Sequence, residues 1–151
     1  METKTKLKLI KPHKIKSREL LSDEDYKRAQ ESAKEMVALC NAEHGLYKGG
    51  HAITHSQVTK EDPLRFFVTY AGEVVCNPKI INCTKTFVNN KEGCLSYSYR
   101  SEIQVPRHNK VTVRYQSLDF GEEMIEQNLN GKQAKIFQHE IDHMDGKYIY
   151  D

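Results

Sequence analysis

Apolar residues recur every three or four positions in two segments of the chain, which is the spacing of an amphipathic helix. The first segment begins with the capping pattern Ser22-Asp23-Glu24-Asp25, and the second is followed by Gly146, a typical residue at a helix C-terminus. The spacing therefore predicts helices over residues 22–42 and 131–144.

Between these helices the chain changes to short runs rich in Val, Ile, Phe and Tyr, which favour strands. The alternation of Val111, Val113 and Tyr115 is typical of a strand with one buried face. Pairs containing Gly, Asn or Pro separate the runs, and these form turns rather than helical crossovers. We therefore expect an α+β fold with antiparallel strands and disfavour a doubly wound sheet. The other predicted strands cover residues 64–70, 79–88 and 94–99, with turns at 71–72, 77–78, 89–90 and 108–109.

The length of 151 residues, with 38% hydrophobic and 29% charged residues, suits a single domain over residues 1–151. The longest apolar run, residues 36–40, is far shorter than a membrane span, and no apolar secretory segment begins the chain. We therefore expect a cytoplasmic protein. Residues 1–20 are rich in Lys and are expected to form a basic arm or an edge strand. The net charge of +2 is too small to indicate nucleic-acid binding.

The second predicted helix contains His139-Glu140-Ile141-Asp142-His143, which has the form H-E-x-x-H. Residues four apart share a helix face, so both imidazoles can bind one metal ion while Glu140 lies beside it. The alternative is an amphipathic helix with two surface histidines. The neighbouring apolar residues Phe137 and Met144 favour a histidine pair that points at least partly inward.

Two imidazoles do not complete a catalytic metal site, which usually has three protein ligands. Cys94 is the best candidate for the third, because a thiolate is a soft ligand and Gly93 lets the chain pass close to an ion. The other cysteines, Cys40, Cys76 and Cys83, are expected to be small core residues. The absence of a C-x-x-C pair and of a secretory segment gives no reason to expect disulfides.

Glu92-Gly93-Cys94-Leu95-Ser96, followed by Gln138-His139-Glu140-Ile141-Asp142-His143, resembles the peptide deformylase family. Residues 76–80 and 105–115 are similar to that family as well, so the resemblance covers the chain from about residue 50 to its end. It implies antiparallel sheets packed around the helix that carries H-E-x-x-H. It also implies a metal-dependent hydrolase, commonly with Fe²⁺, that removes the formyl group from N-terminal formylmethionine of nascent polypeptides and releases formate. Thiolate and imidazole ligands suit Zn²⁺ and Ni²⁺ too.

Hydrolysis of a formamide needs a group that carries a proton and donors that face the oxyanion. Glu140 is the candidate proton carrier, and by resemblance the Gln57 amide and the Leu95 backbone N–H face the oxyanion. The remaining predicted site residues are the metal ligands Cys94, His139 and His143 and the substrate-binding residues Gly50, His51, Ala52 and Gly93. The resemblance also implies an ion pair of Glu92 with Arg107 that supports the ligands.

The family's first motif, G-x-G-L-A-A-x-Q, corresponds to residues 50–57, where only the outer Gly50 and Gln57 match. His55 stands where the family has Ala, so we expect added bulk and a titratable group in the pocket wall. His51 and His55 are four residues apart. A second metal pair is one interpretation, and a polar pocket wall or a surface position is the preferred one.

Many family members continue into a C-terminal helix that contacts the ribosome, whereas eight residues follow His143 here, as in the short forms carried by phages. We expect a monomer that acts on N-formylmethionyl peptides, with no membrane and no specific nucleic-acid partner. The segment Lys4–Arg18 is interpreted as a solvated arm, with a ribosome contact as the alternative. Two other functions remain open: a small H-E-x-x-H metallopeptidase, and a non-catalytic metal-binding relic suggested by the altered first motif.

Overall fold

The computed structural model describes residues 7–44, 52–94, 96, 101–118 and 123–150. Helices and strands in these residues follow the order that the sequence predicts, helix, strands and helix. The elements are α1 (Asp23–His44), β1 (Ala52–Thr54), a 3-10 turn (His55–Gln57), β2 (Phe66–Thr69), β3 (Val74–Cys83), β4 (Phe87–Glu92), β5 (Ile103–His108), β6 (Lys110–Ser117), β7 (Met124–Asn130) and α2 (Gly131–Met144).

Both predicted helices are present with nearly the expected ends. At the start of α1, the Asp25 N–H donates to Ser22 Oγ and the Ser22 N–H donates to Asp25 Oδ2, each over 3.2 Å. This reciprocal pair is the capping box that the sequence pattern indicates. After α2 ends, Gly146 has φ +79°, a conformation that favours glycine and stops the helix.

Five strands form one sheet in the order β1-β2-β3-β6-β7, and β4 pairs with β5 in a separate two-stranded sheet. All of these pairs are antiparallel, as predicted for an α+β fold. Strands β2 and β3 form a hairpin around residues 70–73, and β6 pairs with β7, the next strand along the chain. Strand β5 pairs with β4 in the other sheet. A doubly wound arrangement is therefore ruled out for this sheet.

The five-stranded sheet separates two apolar cores. Alternation along β2 turns Phe66 and Val68 towards α1 and turns Phe67 towards α2. Phe67 meets Phe137 of α2 edge-on, with 5.1 Å between the ring centroids. Burying these rings between α2 and the sheet fixes the rotation of the helix about its axis. The rotation in turn determines which α2 side chains point away from this core. The side chains that α2 contributes to this apolar core are Ala134, Phe137, Ile141 and Met144.

Residues 7–20 form neither a solvated arm nor a strand. Leu7 and Leu9 pack against the core beneath α1, and Leu20 is buried there. The segment makes one isolated bridge, between Arg18 and Leu64, and it is parallel. Burial of these leucines explains why this Lys-rich segment packs against the rest of the domain.

Several predicted strand boundaries are wrong. The predicted strand 79–88 spans the end of β3 and the start of β4. The predicted turn Asn77-Pro78 is an irregularity inside β3, where Asn77 has φ +51°. The predicted turn Asn89-Asn90 lies within β4, paired with Pro106 and Val105 of β5. Pairing with a neighbouring strand outweighs the low strand preference of asparagine here.

Cys94 was predicted to begin a strand over residues 94–99, but it follows β4, which ends at Glu92. Residues 95 and 97–99 lie outside the described part of the chain. Strands β1, β5 and β7 were not predicted. In β7 most residues are polar and exposed, so the sequence shows no alternation that would indicate a strand. This segment is a strand because it pairs along the length of β6.

Cys40 and Cys76 lie in the core under α1, as expected, and burial raises the pKa of each thiol to about 12. Cys83 is exposed at the end of β3, so its prediction as a core residue is wrong. Neither α1 nor α2 is long and apolar enough to cross a membrane.

Candidate metal centre

The three predicted metal ligands come together between α2 and the end of β4. The ligand atoms of Cys94, His139 and His143 all lie within 4.8 Å of one another, and Cys94 Sγ is 3.5 Å from His143 Nε2. Bonds of about 2.3 Å to sulfur and about 2.0 Å to nitrogen, meeting at a tetrahedral angle, separate the two atoms by about 3.5 Å. The donor set therefore fits one divalent ion.

Hydrogen bonds on the outer nitrogen orient both imidazoles. His139 Nδ1 lies 2.7 Å from Glu92 Oε1, and His143 Nδ1 lies 3.2 Å from Gln57 Oε1. Each oxygen is an acceptor, so each ring carries its proton on Nδ1 and directs Nε2 towards the other ligands. This is the arrangement that carboxylates and amides impose on histidines that bind metals.

The predicted ion pair of Glu92 and Arg107 is present and buried. Arg107 donates from Nε and Nη2 to the two carboxylate oxygens of Glu92, each over 2.8 Å, and from Nη1 to Asp142 over 2.7 Å. Burial alone would raise the pKa of Glu92, but Arg107 and His139 outweigh it and lower that pKa to about 2. Glu92 is therefore a carboxylate that holds His139 in place.

Gln138 has a role that the sequence did not indicate. Its Oε1 accepts the His108 N–H over 2.8 Å, and its Nε2 donates to the carbonyl oxygens of His108, over 2.9 Å, and Ala134, over 3.0 Å. Gln138 thus attaches α2 to the backbone of β5 directly beside His139. Asp142, which binds Arg107, and Ser96, which binds Gln57, were also missed, because only long-range contacts identify them.

Glu140 lies next to the three candidate ligands. Its Oε2 is buried, makes no hydrogen bond to the residues that the structure describes, and is 3.6 Å from His143 Nδ1. Burial would raise its pKa, but the two histidines outweigh burial and lower it. A buried carboxylate oxygen without a hydrogen bond is costly, so this oxygen is suited to bond to a molecule held at the site.

The charges of the protein favour a thiolate at Cys94. Burial would raise the pKa of this thiol, but His143 and His139 outweigh burial and lower it to about 6. Burial would likewise lower the pKa of His143, and the charges of Cys94 and Glu140 raise it instead. Thiolate is the form of cysteine that binds metal ions.

Gln57, at the end of the 3-10 turn, reaches the same cluster. Its Oε1 accepts the Thr54 N–H over 2.9 Å, and its Nε2 donates to Ser96 Oγ over 2.9 Å. These bonds fix which end of the carboxamide is the donor, and they leave a second N–H on Nε2. Leu95, the other predicted oxyanion donor, lies outside the described residues.

A model of the polypeptide deformylase family matches residues 14–151 of the chain. The chain belongs to this family. The family prediction made from the motifs is thereby confirmed.

Curated deformylases are similar to part of the chain. Peptide deformylase 2 of Bacillus anthracis is 40% identical over 85 residues, which are 55% of this chain and 45% of that protein. The peptide deformylase of Thermotoga neapolitana is 38% identical over 90 residues, 58% and 53% of the two chains. The matched segment thus spans about half the length of these relatives.

Solved deformylase structures are similar over nearly the whole chain. The peptide deformylase of Thermotoga maritima superposes with a TM-score of 0.81 at 23% identity, covering 98% of this chain and 97% of that one. The "probable peptide deformylase" of Synechococcus phage S-SSM7 gives 0.79 at 26% identity, with 96% and 98% covered. The predicted deformylase fold is confirmed, and a phage protein is among its similar structures.

His55, which stands where the deformylase family has Ala, does not form a pocket wall. Its Nδ1 accepts the Leu64 N–H over 2.9 Å, and its ring packs on Phe66 with 4.9 Å between centroids. In a 3-10 turn successive side chains point about 120° apart, so His55 faces the α1 core while Gln57 faces the ligands. Burial lowers the pKa of His55 to about 3.

The structure does not support His55 as a ligand in a second metal pair. Its Nδ1 accepts a backbone N–H, so in the neutral ring the proton is on Nε2 and no nitrogen is left to bind a metal ion. His51 lies outside the described residues. Within the described part of the chain, Cys94, His139 and His143 are the group whose geometry suits a metal ion.

A cavity of about 100 Å³ opens beside Glu140 and His139. The predicted substrate-binding residues Ala52 and Gly93 line it, and Gly50 is not among the described residues. The lining also includes four side chains that were not predicted: the charged Lys91, Glu102 and Lys135, and the apolar Ile136.

Proposed function

We propose that this chain is a metal-dependent deformylase that removes the formyl group from N-terminal formylmethionine of nascent polypeptides and releases formate. The observation that carries the proposal is the convergence of Cys94, His139 and His143 beside the buried Glu140 Oε2, which makes no hydrogen bond to the described residues. Membership of the deformylase family and the deformylase fold support it.

Cys94, His139 and His143 would hold one divalent ion, natively Fe²⁺, with Zn²⁺ and Ni²⁺ also suited to thiolate and imidazole. When bound, such an ion polarises a carbonyl and makes water acidic. The ligands reach this arrangement because Glu92 and Gln57 hold the outer nitrogens of the two rings.

The chain's own residues supply the proton transfer and the oxyanion donors. Glu140 Oε2 takes a proton from the attacking water and delivers it to the leaving amine nitrogen, a role that typically contributes about 10² to 10⁴ in rate. The second N–H of Gln57 Nε2 donates to the developing oxyanion, together with the Leu95 backbone N–H. Ala52 and Gly93 are proposed to contact the formylmethionyl residue, together with Gly50 and His51, which lie outside the described residues.

The test is formate release from formyl-Met-Ala by protein purified anaerobically, with metal content measured in the same sample. We expect about one ion per chain and release of formate. Cys94→Ala removes both, whereas Cys83→Ala, which changes the exposed cysteine, removes neither. Equal metal content and activity in the two variants would contradict the proposed ligand.

Substrate controls separate the other candidate functions. Cleavage of a peptide with both ends blocked, without release of formate, would identify a metallopeptidase. Turnover of neither substrate with Fe²⁺, Ni²⁺ or Zn²⁺ would identify a non-catalytic metal-binding protein.

Cytoplasmic location and a monomeric state remain predictions. A ribosome contact through the Lys-rich segment is also still a prediction. Because this segment packs along the domain, the contact would be made by its exposed side chains. Ribosome cosedimentation that is insensitive to salt and to reversal of these charges would count against this contact.

A further inference from the structure

An N-terminal strap, residues 10–17, joins the two elements that carry Gln57 and His143. At one end the Ile10 N–H donates to the Gln57 carbonyl oxygen over 3.0 Å. At the other end the Ser17 N–H donates to the Met144 carbonyl oxygen over 2.8 Å, in the last turn of α2. The strap therefore fixes the 3-10 turn relative to the end of α2.

His13 makes the central contact of the strap. Its Nε2 lies 2.7 Å from the Ser56 carbonyl oxygen and 3.2 Å from that of Thr59, and its Nδ1 accepts the Ile15 N–H over 3.2 Å. These partners require the ring proton on Nε2. The ring thus connects the strap to carbonyl groups on both sides of Gln57.

The strap also approaches the end of α2 very closely. At Gly146 a Cβ would lie 2.7 Å from the Lys14 carbonyl oxygen, and the residue has φ +79°. A side chain there would have to move the strap backbone or the helix end. The spacing between the strap and α2 is therefore set by direct backbone contact.

Gln57 depends on this placement through its Oε1, which accepts from three donors: the Thr54 N–H at 2.9 Å, the Thr54 hydroxyl at 3.3 Å and His143 Nδ1 at 3.2 Å. The bonds to Thr54 lie within the turn and move with it, whereas the bond to His143 joins the turn to α2. A small shift of the turn relative to α2 breaks the His143 bond and turns the Nε2 donor away. Misplacing a reacting group by about 1 Å can cost about 10²-fold in rate.

We propose that His13 is a positioning residue for deformylation, which holds the 3-10 turn against α2 and so directs the Gln57 carboxamide at the reacting group. The inference rests on the proposed function for the role of Gln57 in the reaction. His13 itself does not touch the substrate.

Arg18 offers a matched control in the same N-terminal segment. Its guanidinium binds Asp25 over 2.8 Å and Asp62 over 2.7 Å, and it makes no hydrogen bond to residues 55–57. Removing Arg18 loosens the segment's attachment to the domain without removing a bond to the 3-10 turn.

Steady-state kinetics with formyl-Met-Ala, at a temperature where every variant is folded, gives the first test. We expect His13→Ala to lower kcat about tenfold with KM within about twofold, and His13→Gln, which keeps a donor near Nε2, to recover most of the loss. Arg18→Ala lowers the Tm but keeps kcat. An equal loss of kcat in His13→Ala and Arg18→Ala would overturn the proposal.

A double-mutant cycle tests whether His13 acts through Gln57. In a Gln57→Ala background we expect His13→Ala to change kcat by less than about twofold, because the positioned group is gone. Independent, multiplicative effects of the two substitutions would overturn the proposal.

Hydrogen exchange provides a readout that needs no activity. We expect His13→Ala to speed exchange about tenfold at the Thr54 and Ile10 amides, which bond to Gln57, with the amides of β6 unchanged. Arg18→Ala leaves the Thr54 amide as in the unaltered protein. Unchanged Thr54 exchange in His13→Ala would overturn the positioning role, whereas absence of formate release by the unaltered protein would overturn the proposed function instead.

Discussion

His55 and His143 are equally buried, each 2% exposed, but on opposite sides of the sheet their surroundings differ. His55 lies in the apolar core under α1, where burial lowers its pKa to about 3. On α2, His143 faces Cys94 and Glu140, whose negative charges outweigh burial and raise its pKa. The same residue type is a packed acceptor on one side and part of a charged cluster on the other.

This contrast shows that the neighbours of a buried histidine, and not its burial, distinguish the candidate functional site from the core. On the α2 side a thiolate, carboxylates and a guanidinium surround the two histidines, as is common at catalytic sites. On the α1 side, His55 replaces the family's Ala without adding a charge. The altered first motif therefore changes the core and leaves the α2 cluster intact.

The strongest test of the α2 side is Glu140→Gln. This substitution keeps the size of the side chain but removes its ability to accept a proton. We expect formate release to fall by about 10² to 10⁴ with metal content retained, measured by steady-state kinetics and metal analysis. Unaltered turnover would exclude Glu140 from the reaction.

Arg107→Ala tests whether the buried ion pair supports the cluster. It leaves the Glu92 carboxylate buried without its cation, which costs about 3–5 kcal/mol in the free energy of unfolding by urea. Because Glu92 also orients His139, metal affinity should fall about 10- to 100-fold. A variant as stable as the unaltered protein, with the same affinity, would show that this network does not support the site.

The α1 side is tested by the pH dependence of stability. The pKa of His55 is about 3 in the folded protein and about 6.5 when unfolded, so between these values the unfolded chain binds the extra proton. The contribution of His55 to the free energy of unfolding therefore falls as pH drops from about 6.5 towards 3. Between pH 7.5 and 5.5 the loss is about 1.4 kcal/mol.

His55→Asn retains an acceptor near the Nδ1 position and does not titrate in this range. We expect its free energy of unfolding to fall by about 1.4 kcal/mol less than that of the unaltered protein over the same pH interval. Identical pH dependence in the two proteins would mean that His55 is protonated when folded, contrary to its packing on Phe66.

The smallest effect is expected at Arg114 and Glu126, an exposed pair 3.0 Å apart on β6 and β7. Arg114→Ala should change the free energy of unfolding by less than about 1 kcal/mol. A loss as large as that of Arg107→Ala would remove the distinction between the buried network and surface charges.

The sequence predicts the α2 helix and its cluster well, because H-E-x-x-H and the apolar spacing are local patterns. It does not predict β4, where Asn89 and Asn90 become strand residues through pairing with β5. It also misplaces His55, since the 3-10 turn that rotates it away from Gln57 has no local pattern. Contacts such as Asp142 with Arg107 depend on the folded arrangement.

The central claim is that Cys94, His139 and His143 share one divalent ion, and X-ray absorption spectroscopy of the zinc-loaded protein tests it most directly. We predict one sulfur neighbour at about 2.3 Å and nitrogen or oxygen neighbours at about 2.0 Å, with the sulfur lost in Cys94→Ala and kept in Cys83→Ala. A spectrum of the unaltered protein without a sulfur neighbour would contradict the claim.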